Sequence, residues 1–202
     1  MIKKFFINKA LNMITDIYPE YNDSKIDEIR YGLEAIYLSL TKVIVILSIT
    51  LILGIFKEAV LVLLFFNGLR TTAFGIHASK SWMCWISSSI LFIGIPYLCI
   101  YINIPNLIQY ILIFIAMLFF LLYAPADTVK RPLVRKNRRI KFKISTLIIA
   151  FIYIIIFFYT DDIFLKNTIV CTMLLESVLI HPLTYRVFKL PYKNYERYVF
   201  SK

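Results

Sequence analysis

Long unbroken apolar runs set the limits on this fold. Ile36–Phe56, Met83–Ile100, Leu107–Leu122 and Ile144–Tyr159 are almost continuous hydrocarbon. A helix rises about 1.5 Å per residue, so about 20 such residues cross the roughly 30 Å apolar layer of a bilayer. Strands of a membrane barrel alternate apolar and polar residues, and these runs do not, so the pattern predicts helices. Two further runs are weaker. Asn167–Ile180 contains Glu176, and Ala59–Leu69 would reach only about 16 Å as a helix. Counting both, the sequence predicts an all-α polytopic membrane protein with six transmembrane segments, the second one short, forming a single integral membrane domain over 1–202.

Charge placement supplies the expected orientation. The 202 residues carry a net charge of +11, with 60% hydrophobic residues and a mean hydropathy of +0.75. Lys130, Arg131, Arg135, Lys136, Arg138, Arg139, Lys141 and Lys143 crowd the loop 123–143, and clustered lysine and arginine mark the cytoplasmic side. Arg186, Lys189, Lys193, Arg197 and Lys202 put the C-terminal tail on that side too. Alternation of spans then places 70–82 at the cytoplasmic face and, with the short second span counted, the N-terminus inside. The basic loop suits anionic membrane lipid. Nucleic acid is not expected, because that loop lies against a membrane and has almost no aromatic residues to stack bases. MIKKFFINKALNMI places Phe5, Phe6, Ile7, Leu11 and Ile14 against Lys3, Lys4 and Lys9, which predicts an interfacial amphipathic helix over 1–18. Pro19 ends it, and Ser24 is the expected cap of the helix that follows. The opening residues have no h-region and no small-residue cleavage site, so no cleavable signal is expected.

The polar stretch FNGLRTTAFGIHASKSWMCW, residues 66–85, interrupts the hydrocarbon. It holds Arg70, Gly75, His77, Lys80 and Cys84, and Asp127 follows on the same side at the end of YAPAD. A cysteine attacks as the thiolate, and an imidazole can take its proton and return it to a leaving amine. Lys80 could favour the thiolate, and Arg70 could hold a peptide carboxylate. Residues seven apart on one straight helix sit about 10.5 Å apart along its axis. His77 and Cys84 therefore pair within one subunit only if the chain turns between them, at Ser79–Ser81, with Cys84 opening a new helix whose dipole favours the thiolate; in a homodimer His77 of one subunit could instead serve Cys84 of the other. Cys99 and Cys171 lie inside apolar runs and read as small buried hydrophobes. No zinc-ligand set, GxxxxGK[ST] loop or GxGxxG fingerprint occurs, so no metal or cofactor is expected. Asp127 is a candidate to orient His77, or else a cap or a partner of Lys130 and Arg131.

Arg70, Gly75-Ile76-His77-Ala78 and Cys84, with Tyr123-Ala124-Pro125-Ala126-Asp127-Thr128 and Lys130-Arg131-Pro132-Leu133, resemble the accessory gene regulator B (AgrB) family of quorum-sensing membrane peptidases. The resemblance covers nearly the whole chain. It implies a cysteine endopeptidase with Cys84 as nucleophile and His77 as base. The implied substrate is an AgrD-like propeptide with an amphipathic leader and an acidic tail. The enzyme would remove the tail, retain the remainder as a Cys84 thioester, and pass it to an internal cysteine of the peptide to form a thiolactone. Lys130, Arg131 and Arg135 would attract the acidic tail. The location implied is the bacterial cytoplasmic membrane. A homodimer would bury the short second span and enclose the site. Two other readings remain open, a nonenzymatic peptide exporter and a structural or receptor-like membrane subunit. The role of Glu176 also stays open.

Overall fold

The computed structural model describes residues 2–76, 81–128 and 132–196. The chain divides into two compact units, 1–52 and 53–202. In the first, α1 (Ile2–Ile17) lies against α2 (Asp23–Ile52), with Lys3 Nζ 2.7 Å from the Glu34 carboxylate. The cap of α2 is not Ser24. Asn22 accepts the Lys25 N–H at 3.0 Å, because the helix starts one residue before Ser24 and an asparagine just outside it can reach that donor.

The second unit comprises α3 (Phe56–Ala73), α4 (Ser81–Ser89), a π-helical turn at Ile90–Gly94, α5 (Ile95–Tyr101), α6 (Asn106–Tyr123), α7 (Lys136–Tyr159), α8 (Ile163–Leu179) and α9 (Pro182–Val187). Pro96 explains the π turn: it lacks an N–H and its ring crowds the preceding turn, so the helix widens there without breaking. Helix α8 packs against α6, α3, α5 and α7. Ile169, Val170 and Met173 of α8 enter a core with Leu69 and Ala73 of α3, Ile113, Ala116 and Phe120 of α6, and Ala150, Tyr153 and Phe157 of α7. The outward faces are greasy, as Phe114 and Leu118 on α6 and Ile148 and Phe151 on α7 illustrate. In water such faces would aggregate; in a bilayer they are solvated by lipid.

The expectation of six spans is overturned. Among the described residues, four helical segments are long and apolar enough to cross a membrane: Asp23–Ile52, Trp82–Tyr101, Asn106–Tyr123 and Lys136–Tyr159. The protein is a polytopic helical membrane protein, but α3 and α8, which contain the predicted second and sixth spans, do not qualify. Helix α3 carries Lys57, Glu58 and Arg70, and α8 has only 17 residues, with Asn167, Thr168, Thr172, Glu176 and Ser177 all buried. Their apolar residues serve the protein interior. Ala59, Val62 and Leu69 of α3 are covered by their own chain, so the argument for association from an exposed short span lapses.

Several polar groups inside the bundle find partners across helices. Asn167 donates to the carbonyls of Cys99 (3.1 Å) and Ile102 (2.7 Å) at the end of α5, and accepts from Gln109 at 3.0 Å. It thereby satisfies carbonyls that a helix end leaves without donors. Tyr153 donates to the Phe65 carbonyl at 2.9 Å, across α7 and α3. That contact needs Gly68, where a Cβ would stand 2.1 Å from the Tyr153 hydroxyl. Gly68→Ala is expected to cost about 1–3 kcal/mol by overpacking, read as a lower unfolding midpoint in detergent. Adding Tyr153→Phe, which removes the clashing oxygen, should recover part of the loss.

Candidate functional site

The candidate site grows from the end of α3. Phe74 and Gly75 both adopt positive φ, 63° and 87°, which turns the chain sharply out of the helix. The turned segment is fixed by backbone bonds from two directions. Ala126 N–H donates to Ala73 O and Gly75 N–H to Ala126 O, both at 2.9 Å, while Ile76 N–H donates to Leu179 O at 3.3 Å. Phe74 and Ala126 thus form an isolated parallel bridge. The Phe74 ring lies edge-on to Phe142 of α7, with centroids 4.8 Å apart. Residues 74–76 are therefore tied to the segment after α6 and to the last turn of α8.

Arg70 lies in the last turn of α3, and its guanidinium points back into this knot. One nitrogen, Nη1, is 3.4 Å from both carboxylate oxygens of Glu176, and Nη2 donates to the Ile76 carbonyl. The Glu176 side chain is 0% exposed and that of Arg70 15%. Gly75 makes the approach possible, since a Cβ there would stand 2.6 Å from Arg70 Nη1 and 3.0 Å from Leu179 O. The partners of Arg70 in the described structure are thus protein groups, where the sequence suggested a substrate carboxylate.

Cys84 does not open its helix as expected: α4 starts at Ser81, so Cys84 is its fourth residue, and its side chain is half-buried. Residues 74–76 are not helical, so α3 does not run unbroken into α4. His77 and Lys80 lie outside the described residues, as do Lys130 and Arg131 of the basic loop. Arg135 is described and exposed at the start of α7. Cys99 and Cys171 sit together between α5 and α8, and Asn167 ties the Cys99 backbone near the end of α5.

Asp127 is almost fully buried, and its carboxylate gathers backbone donors. Oδ1 accepts from Asn194 N–H at 2.9 Å; Oδ2 accepts from Tyr195 N–H at 2.8 Å and Leu133 N–H at 3.3 Å. The Tyr185 hydroxyl donates to the Ala126 and Asp127 carbonyls, at 3.2 and 3.1 Å. Burial pushes that hydroxyl well above the usual tyrosine range, so it stays a donor. A cavity of about 200 Å³ opens beside this segment, between Tyr123–Asp127, Arg139 and Lys143 of α7, and Tyr192, Lys193 and Tyr195. Its rim is cationic and its walls are partly aromatic. The Arg139 guanidinium stacks on the Tyr195 ring, 3.9 Å from its centroid. Sequence reasoning missed Tyr185, Asn194 and this C-terminal wall, for no motif or periodicity marks them.

Comparison with known proteins places the chain. The profile of the family Accessory gene regulator B matches residues 6–184. The chain belongs to the AgrB family. An AgrB-like protein of Listeria innocua is 35% identical over 178 residues, covering 85% of this chain and 84% of its own. An AgrB-like protein of Clostridium acetobutylicum is 30% identical, covering 83% and 80%. The accessory gene regulator protein B of Staphylococcus saprophyticus is 30% identical over 194 residues, covering 95% and 99%. No solved structure matches. The AgrB match takes in Arg70, Gly75, Cys84 and Asp127 but stops before Asn194 and Tyr195. Those two residues nonetheless donate two of the backbone bonds to the Asp127 carboxylate in this AgrB chain. Asp127→Ala leaves their N–H groups without acceptors, at about 1–3 kcal/mol for each buried donor. Tryptic cleavage after Lys189 or Lys193 should then run at least about tenfold faster than in the parent protein, since cutting tracks the open population.

Proposed function

We propose that this AgrB protein is a membrane cysteine endopeptidase that cyclises its product. What supports the reading most is the segment 74–76, tied to three neighbouring elements immediately before His77, with Cys84 the fourth residue of the next helix. A general base must stand within about 2.6–3.2 Å of the proton it removes, and a held approach to His77 suits that demand. Cys84 Sγ attacks the carbonyl of the scissile peptide bond, His77 takes the thiol proton, and the same proton goes to the departing amine as the C–N bond breaks. A Cys84 thioester remains. An internal cysteine thiol of the substrate then attacks the thioester carbonyl, Cys84 leaves and regains a proton through His77, and a macrocyclic thiolactone is released. Exchange of one thioester for another changes little in bond energy, so exclusion of water decides the product.

The substrate in this reading is an AgrD-like propeptide with an acidic C-terminal tail. The cavity edged by Arg139, Lys143 and Lys193, together with Lys130, Arg131 and Arg135, gives that tail a cationic landing place. The density of lysine and arginine around 123–143 assigns the site to the cytoplasmic face. Cys84 and His77 act within one subunit, since the turn at Phe74 and Gly75 needs no second chain.

Reconstituted in liposomes with an AgrD-like propeptide, Cys84→Ala should insert normally and lose cleavage. His77→Ala should cleave at least about 100-fold slower, and single replacements of Cys99 or Cys171 should cleave at near-normal rates. Cleavage by Cys84→Ala would end the proposal. In membranes mixing Cys84→Ala with His77→Ala chains, no recovery of cleavage is expected; recovery would overturn pairing within one subunit.

A further inference from the structure

Glu176 is a fully buried carboxylate near the end of α8, and the cysteine–histidine chemistry gives it no task. We propose that Glu176 is a positioning residue for His77: it holds Arg70 so that the guanidinium grips the Ile76 carbonyl, which fixes where the next residue starts. The inference rests on the cysteine–histidine reading above.

Both polar backbone groups of Ile76 are referred to the same helix. Its N–H donates directly to Leu179 O in the last turn of α8 at 3.3 Å. Its carbonyl accepts from Arg70 Nη2, while Nη1 of the same guanidinium stands 3.4 Å from the two oxygens of Glu176. The Ile76 peptide groups on either side of its α-carbon are therefore set by Leu179 and Glu176, three positions apart on α8. An arginine suits this task better than a lysine, because its planar fork addresses two acceptors at once in fixed directions. Gly75 completes the fit, since any Cβ at that position would push the guanidinium away at 2.6 Å.

Stability alone does not account for the pair. Replacing a buried ion pair by apolar side chains of similar volume is often neutral or stabilising. A pair kept for geometry behaves differently, because a displacement of about 1 Å in a catalytic group can cost about 100-fold in rate. A misplaced base also leaves substrate binding alone, so the loss falls on kcat and spares KM.

The test compares Glu176→Gln and the double variant Arg70→Met/Glu176→Leu with the parent protein and with His77→Ala, all full-length in liposomes. The double variant removes both charges together, so it folds without an unpaired ion. Two readouts are taken. One is kcat and KM on an AgrD-like propeptide. The other is the rate at which iodoacetamide alkylates Cys84, followed by peptide mass, which needs no substrate. Expected are a fall in kcat of at least about tenfold with KM within about twofold, and alkylation slowed towards the His77→Ala rate, in variants that melt like the parent. Parent-like kcat and alkylation in a folded Arg70→Met/Glu176→Leu protein would overturn the positioning role alone. A rise in KM at unchanged kcat would overturn it too, pointing to substrate contact instead. If His77→Ala itself alkylates at the parent rate, the cysteine–histidine reading falls and this inference falls with it.

Discussion

The Ala126 carbonyl accepts the Gly75 N–H and the Tyr185 hydroxyl, while the Ala126 N–H donates to Ala73. This one residue links the ends of α3 and α6 to α9, in surroundings where a lost backbone bond cannot be replaced by bulk water. Leu179 does the same for α8 through Ile76. Helix ends in an apolar bundle expose carbonyls that need donors, and here the ends of α3 and α8 find them in the loop leaving another helix. Arg70, Asp127 and the approach to His77 all extend from that knot. Arg70 sits one turn above it, Asp127 follows it directly, and the approach to His77 emerges from its far side.

The polar residues of α8 have two separate jobs. At one end, Asn167 bridges α5 and α6, donating to Cys99 and Ile102 carbonyls and accepting from Gln109. At the other, Glu176 meets Arg70 of α3. Thr172, between them, bonds back to the Thr168 carbonyl at 2.7 Å and so satisfies itself within the helix. The helix therefore fixes its neighbours by hydrogen bonds at both ends and by Ile169, Val170 and Met173 in the middle. Apolar contacts tolerate sliding, whereas a hydrogen bond is lost within a fraction of an ångström of misalignment. The register of α3 against α8, and with it the height of Gly75, follows from these end contacts.

Helices α6 and α7 were legible because hydrophobic length is a direct readout of a bilayer's thickness. Composition could not separate α3 and α8 from them, since a helix buried in protein and one facing lipid are equally apolar. Charges gave a hint: Lys57, Glu58 and Arg70 sit in α3 and Glu176 in α8, but a lone Glu176 reads as a functional oddity until its partner is known. That partner is 106 residues away, beyond any local pattern. The residue types of the site, Arg70, Gly75, Cys84 and Asp127, could be picked out from the sequence. Their relations could not. Asp127 stood open between orienting an imidazole, capping, and pairing with Lys130 and Arg131; its described bonds run to the backbone of Leu133, Asn194 and Tyr195. Gly75 could be recognised as a turn residue, but the guanidinium that excludes a side chain there comes from tertiary packing.

The polar core of α8 also bears on the order of assembly. Emerging alone into lipid, this helix would present Asn167, Thr168, Thr172 and Glu176 to hydrocarbon, where such groups are expensive. Its partners α3, α5, α6 and α7 all precede it in the chain. By the time α8 leaves the ribosome, the groove that receives it has already been synthesised, so the membrane never has to accept it unescorted. Moving the α8 sequence ahead of α3 would keep every contact available in principle and take away the escort.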